Sequence, residues 1–202
     1  MKYKAILFDA DGVLIKAKFL FSELLERDYG LEMRNMLPFF KGVFQDCTIG
    51  RADLREELAK VLGTWGWPGS VDELMDYWFT KGTELDGPMM EFVIKLSESV
   101  HALYVVADQE RYRGAVLRQR LEGAPFKKVF FSAEIGATKN QSAYWEHVFK
   151  SISENSPAPI EKNEILYIDD GQENLNAARA FGLETYLYDG DFLKLQKLFA
   201  TA

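Results

Sequence analysis

Two hydrophobic rhythms alternate along the chain. Short apolar runs, rich in β-branched and aromatic residues and too short for helices, read as buried strands: Ile6-Leu7-Phe8, Ala102 to Ala107, Lys128 to Ser132, Ile165 to Ile168 and Glu184 to Tyr188. Between them apolar residues recur at helical spacing over Pro88 to about Ser99, Arg111 to Leu121, Asn140 to Ile152, Asn174 to Phe181 and Phe192 to Phe199. Pro88 suits a first helical turn, and Gly182 suits a helix end. The polar stretch Ser153 to Asn163, with Pro157 and Pro159, reads as a loop. Strands alternating with helices predict an α/β fold, a parallel sheet wrapped on both faces.

The stretch 15–87 breaks that alternation, because it reads as helical throughout. Phe19, Leu20, Leu24 and Leu25 share one face of a helix ending near Gly30, and a second helical stretch runs from Met33 to Phe44. Pro38 predicts a break or bend within it. Asp53 and Ser70 each stand three residues before a glutamate, Glu56 and Glu73, the spacing of a reciprocal capping box. The loop Gly63 to Gly69 separates the two helices they open. The expected division is a core of residues 1–14 and 88–202 and a helical insertion of residues 15–87.

In a parallel α/β sheet, ligands bind outside the carboxyl ends of the strands. Three of the expected strands end in acid: Asp9, Asp108, and Asp169 with Asp170. Asp9 and Asp11 project to the same side, since strand side chains repeat every two residues. Two readings of that pair stand side by side. Either a cation or a shared proton relieves the repulsion, or the stretch Asp9-Ala10-Asp11-Gly12 is a strand-ending turn. A cluster of carboxylates with oxygen ligands alone suits a hard cation such as Mg²⁺. His101 and His147, the two histidines, sit in unlike contexts and give no zinc site; His101 reads as packed or surface, His147 as facing solvent. Lys139, in Gly136-Ala137-Thr138-Lys139 after the third strand, is placed to pair with phosphate oxygens and with Asp9.

Composition narrows the partners. A net charge of -7 argues against nucleic acid, which calls for a basic face. An anionic substrate then needs a metal or a placed lysine. The single cysteine, Cys47, excludes an internal disulfide and reads as a half-buried structural thiol. No apolar stretch approaches a membrane span, and Met1-Lys2-Tyr3-Lys4 runs directly into the first strand, so the expectation is a cytoplasmic protein without a signal peptide.

The motifs together resemble the haloacid dehalogenase-like hydrolase superfamily: an apolar strand ending in Asp9-Ala10-Asp11-Gly12, a lysine at Lys139, and a strand Ile165 to Ile168 ending in Asp169 and Asp170. The resemblance covers nearly the whole chain. It implies a Rossmann-like parallel sheet of strand order 5-4-1-2-3 with a small all-helical cap domain at residues 15–87. It further implies a Mg²⁺-dependent phosphatase of a small phosphorylated metabolite, a monomer or homodimer, working through an aspartyl-phosphate. In that scheme Asp9 is the nucleophile and Asp11 the general acid and base. Asp9, the backbone carbonyl of Asp11, and Asp170, with Asp169 beside it, hold the metal. An acid at Asp11 separates the phosphatases from the dehalogenating branch, whose halide leaving group needs no proton.

One motif departs from the family. Where the second strand carries Thr or Ser, often followed by Asn, this chain has Ala107 and Asp108. A lost donor at such a substrate-binding position costs about 2.7–4 kcal/mol in the transition state. Backbone amides, Arg111 or Arg113 are the candidate substitutes. Without one, the resemblance implies a slow phosphatase, or a weakened member that binds a phospho-ligand or protein partner; dehalogenase and phosphomutase rank below these. Arg51 is a candidate contact for an anionic substrate. The aromatics Phe39, Phe40, Phe44, Trp65, Trp67, Trp78 and Phe79 are expected mostly to pack the cap, with a few lining its opening.

Overall fold

The computed structural model describes residues 2–16, 20–100 and 102–200. The expectations for Phe19 and His101 lie outside the described residues. Five strands, β1 (Ala5–Phe8), β2 (Ala102–Ala107), β3 (Phe126–Phe131), β4 (Ile165–Asp169) and β5 (Glu184–Leu187), form one sheet of order β3-β2-β1-β4-β5. Every pairing is parallel. This is the expected order, with β1 at the centre.

The three inner strands, β1, β2 and β4, read as nearly unbroken apolar runs because both faces of the sheet are covered. Ile6, Phe8, Leu103, Val105, Leu166 and Ile168 point to one face and pack with α6 (Gly87–Leu96), α7 (Arg111–Arg120) and α11 (Phe192–Ala200). Their neighbours Ala5, Leu7, Tyr104, Val106, Ile165 and Tyr167 point to the other, against α9 (Ser142–Glu154) and α10 (Gln172–Phe181). Alternation of period two sorts each strand into two cores.

The insertion builds a third core of its own. Helices α1 (Phe21–Tyr29), α2 (Met33–Lys41), α3 (Val43–Thr48), α4 (Leu54–Trp65) and α5 (Val71–Gly82) bury Leu25, Met36, Phe39, Leu58, Trp65 and Trp78 together, with Tyr112 and Val116 of α7 packed against them. Phe21 stacks on Trp78 with ring centroids 4.2 Å apart. The chain enters and leaves this layer through paired segments, where Ile15 bridges both Asp11 and Leu85 and the amide of Asp86 donates to Leu14 O at 2.8 Å.

Several local expectations are corrected. The helical stretch after Met33 breaks at Gly42 rather than at Pro38, which sits inside α2. A Cβ on Gly42 would meet Pro38 O at 2.7 Å, so the break falls at a residue that lacks one. Of the two expected capping boxes, α5 closes reciprocally through Ser70 and Glu73, whereas Asp53 accepts the amides of Arg55 and Glu56, with no bond from Asp53 N–H to the Glu56 side chain among those described. Ser132 opens the one-turn helix α8 (Ser132–Ile135) instead of ending β3. Cys47 is fully buried, not half-buried, and burial pushes its thiol up to about 11. His147 is exposed, as expected. Among the described residues no helix is long and apolar enough to cross a membrane.

Candidate active site

Strand register brings the first acids together. Phe8 stands beside Ile168, and the Asp9 amide donates to Ile168 O at 2.9 Å, so Asp9 and Asp169 leave the sheet side by side. After Asp9 the chain turns at once: the amides of Leu14 and Ile15 both donate to Ala10 O, at 2.9 and 2.8 Å. Gly12 makes that turn with φ of +81°, and a Cβ there would lie 1.9 Å from Asp170 Oδ2. Glycine is thus required twice, for the backbone conformation and for the approach of Asp170.

Lys139 is the hub of this side. Its Nζ donates to Asp9 Oδ1 at 2.6 Å and to Asp169 Oδ2 at 2.9 Å, with the lysine and both acids buried. Its backbone is fixed at both ends, the amide donating to Asp108 Oδ1 at 3.0 Å and the carbonyl accepting Trp145 Nε1–H at 2.6 Å. Burial opposes the lysine's charge, but Asp9 and Asp169 outweigh it and hold the ammonium protonated. Asp9 also accepts the Ala10 amide at 2.7 Å. Burial pushes its carboxyl up, Lys139 opposes that and Asp169 adds to it, leaving the pKa raised. Asp169 has both oxygens engaged: Tyr167 and Lys139 donate to Oδ2, and the Gly171 amide donates to Oδ1 at 2.5 Å. Asp170 is exposed at the crevice, where partial desolvation by the surrounding protein, with the nearby Asp169, raises its pKa.

Asp9, Asp169 and Asp170 each offer an oxygen within 4.8 Å of the others, a set that can hold a metal ion. The all-oxygen donors fit a hard cation such as Mg²⁺. The charge balance fits too, since three carboxylates here share one lysine. Asp169, already saturated with donors, suits orienting Lys139 more than direct ligation.

Asp11 belongs to a different network. Arg113 grips it with two parallel bonds, Nη1–H to Oδ2 at 2.7 Å and Nη2–H to Oδ1 at 2.5 Å, and Gln109 Nε2–H adds a third to Oδ2 at 2.6 Å. Burial alone would raise the Asp11 carboxyl, but Arg113 and Gln109 hold it below the usual range. Glu110 caps α7 by accepting the amides of Tyr112 and Arg113 at 2.7 and 2.5 Å.

Ala107 is buried at the end of β2, without a hydroxyl to offer. Asp108 turns one oxygen to the Lys139 amide, so it anchors the lysine loop. Of the two candidate arginines, Arg113 is bonded to Asp11, and Arg111 is largely exposed, 3.9 Å from Asp53. Arg51 is exposed and takes no part in either network. Sequence reasoning missed Tyr167, Gln109 and Ser132. Tyr167 was within reach, two residues before Asp169 on one strand face. Ser132 carried no signal; its hydroxyl donates to Thr48 O at 2.6 Å and accepts the Gln109 amide at 2.9 Å, joining core to helical layer.

Comparison with known proteins adds the following. No family model matches the chain. A D-ribitol-5-phosphate phosphatase of Bacteroides thetaiotaomicron is 23% identical over 198 residues, spanning 91% of this chain and 90% of its own length. A HAD family enzyme from the same organism, solved as an aspartate-to-alanine variant with magnesium and inorganic phosphate, superposes with a TM-score of 0.75 at 18% identity, over 96% of this chain and 98% of its own. A HAD-like hydrolase structure from Porphyromonas gingivalis gives 0.73 at 19% identity, over 98% of each chain. With five parallel strands in matching order and strand-end acids gathered around one lysine, the chain has the fold of the haloacid dehalogenase-like hydrolases.

Proposed function

We propose that the protein is a Mg²⁺-dependent phosphatase of a small phosphorylated metabolite. The observation that carries the reading is Lys139, buried between Asp9 and Asp169 with Asp170 beside them. Such a set neutralises an anionic nucleophile only in part and leaves room for a divalent cation. Asp9 attacks phosphorus, the ester oxygen departs, and an aspartyl-phosphate forms on Asp9. Asp11, held as a carboxylate by Arg113 and Gln109 in the free protein, takes up a proton as the anionic phosphate arrives beside it, gives that proton to the leaving oxygen, then takes one from the water that hydrolyses the intermediate. Lys139 fixes the orientation of Asp9 and balances charge gathering on the phosphoryl oxygens. Asp9, Asp170 and the Asp11 carbonyl would hold Mg²⁺, with Asp169 supporting; when bound, the ion screens the two anions from each other and stabilises transition-state charge.

Residues 1–14 and 88–202 serve as the catalytic core domain and 15–87 as the cap domain that selects the substrate. The separate apolar core of the helical layer and its paired linkers support that division. A pentitol phosphate is the first candidate substrate, by likeness to the ribitol phosphatase.

Phosphate release from a panel of phosphorylated polyols, sugars and aryl phosphates, with and without Mg²⁺, tests this. Turnover should require Mg²⁺, and Asp9→Asn should abolish it while the circular dichroism spectrum stays unchanged. Undiminished turnover in Asp9→Asn would sink the scheme. A second reading, a binding protein that has lost turnover, rests on Ala107; retention of a phosphorylated ligand without phosphate release would favour it.

A further inference from the structure

Asp11 sits in a setting that its role as proton carrier does not by itself explain. Its side chain is 43% exposed, yet three donors on two side chains hold it. The donor of two of them, Arg113, is itself nine-tenths buried, an unusual place for a guanidinium. The two Nη groups of Arg113 have further partners: Nη1–H donates to Gln109 Oε1 at 2.6 Å, and Nη2–H to the carbonyl of Gly82. Gly82 is the last residue of α5, where the chain leaves the helical layer to return to the core. The guanidinium therefore ties together the first loop of the core, the start of α7 and the exit from the helical layer.

From this juxtaposition we propose that Arg113 is the positioning residue for Asp11, aiming its carboxyl at the leaving-group oxygen from a seat anchored on Gly82. The inference rests on the phosphatase reading above. A carboxylate oxygen can accept two hydrogen bonds. Oδ2 of Asp11 already has two, from Arg113 and Gln109, while Oδ1 has one, from Arg113. Oδ1 is thus the oxygen with a free position, on a side chain open to the crevice, and it is the atom that carries the transferred proton. The fork is rigid and planar, so it fixes the plane of the carboxyl as well as its place. A lysine would keep the charge and lose that plane. Gln109 supports the same arrangement from two sides, donating to Asp11 and accepting from Arg113.

Leaving-group dependence separates this role from a merely structural one. Phenyl phosphate needs its departing oxygen protonated, whereas the p-nitrophenolate ion leaves readily without help. The ratio of kcat/KM reports the step that breaks the ester and is blind to later hydrolysis of the aspartyl-phosphate. For Arg113→Lys, kcat/KM should fall at least tenfold more on phenyl phosphate than on p-nitrophenyl phosphate. In an Asp11→Asn background the same substitution should change neither ester further. Equal losses on the two esters, or an undiminished effect of Arg113→Lys when Asp11 is already Asn, would overturn the proposal and leave the phosphatase reading standing. Should Arg113→Lys fail to fold by circular dichroism, Gln109→Leu carries the test, with a preferential loss on phenyl phosphate of about threefold expected and an equal loss overturning it. A wild-type protein that releases phosphate from neither ester with Mg²⁺ overturns the phosphatase reading, and the role of Arg113 with it.

Discussion

Asp9 and Asp11 stand two residues apart, yet the two sides of the crevice treat them in opposite ways. On the β4 side, Asp9 is buried and shares one lysine with Asp169, beside Asp170. Burial drives its carboxyl up, and the single ammonium does not fully offset three acids. On the α7 side, Asp11 has a guanidinium to itself and is held low. Chain position alone would make the pair equivalent; the cations assigned to each make them different. The β4 side is short of positive charge and takes a divalent ion, while the α7 side is already balanced and holds one carboxyl in a fixed plane.

The most forceful way to break this contrast is to remove its shared cation. Lys139→Met leaves Asp9 and Asp169 buried as like charges, and loss of one partner from a buried charge pair costs about 3–5 kcal/mol. Denaturant unfolding in the presence of a chelator should show a loss of that size, together with loss of turnover. Saturating Mg²⁺ should restore more stability to the variant than it adds to the wild type, because the ion supplies charge the lysine no longer does. A variant as stable as the parent without metal would mean that Asp9 and Asp169 are not both ionised, and the proposed charge deficit would be false.

The same contrast explains what was legible in the chain. The parallel sheet and the gathering of Asp9, Asp169 and Asp170 at one edge followed from strand rhythm and strand-end acids, since ligand sites lie at the carboxyl ends of parallel strands, while the strand order came only with the family resemblance. Lys139 was visible because its loop must follow β3. The partner of Asp11 was not, because Arg113 lies on a helix and nothing in helical periodicity says which core loop its side chain meets. The contact of Asp108 was hidden for a related reason: its oxygen accepts the Lys139 amide, a tertiary contact between segments 31 residues apart. The break at Gly42 was missed because Pro38 looked the stronger breaker, and only the folded helix reveals the close approach of Pro38 O.

The end of β2 lies between the two sides and can sharpen the boundary. Ala107→Thr with Asp108→Asn adds a hydroxyl and an amide donor while the Asn side-chain oxygen still accepts the Lys139 amide. One recovered donor is worth about 10²–10³ in rate where geometry is ideal. Ala107 is packed at 1% exposure, so part of that gain is lost to crowding, and an increase of about tenfold in kcat/KM on an aryl phosphate is expected. Steady-state kinetics at saturating Mg²⁺ decides it. A fall instead of a rise would assign Asp108 to substrate recognition through its carboxylate.

The smallest effect isolates the α7 side. Glu110 is 3% exposed and caps α7 with both oxygens, and burial raises its carboxyl against the pull of the two amides it accepts. Replacing a helix cap by alanine typically costs about 1 kcal/mol. Glu110→Ala should therefore lower stability by about that much and loosen the turn of helix that carries Arg113. It touches neither Lys139 nor the acids around it. The rise in melting temperature on adding Mg²⁺ should accordingly match that of the wild type, as read by thermal unfolding with and without the ion. A Mg²⁺ response that collapsed along with the cap would mean that α7 holds the metal side in place, and that Asp9 and Asp11 answer to one network instead of two.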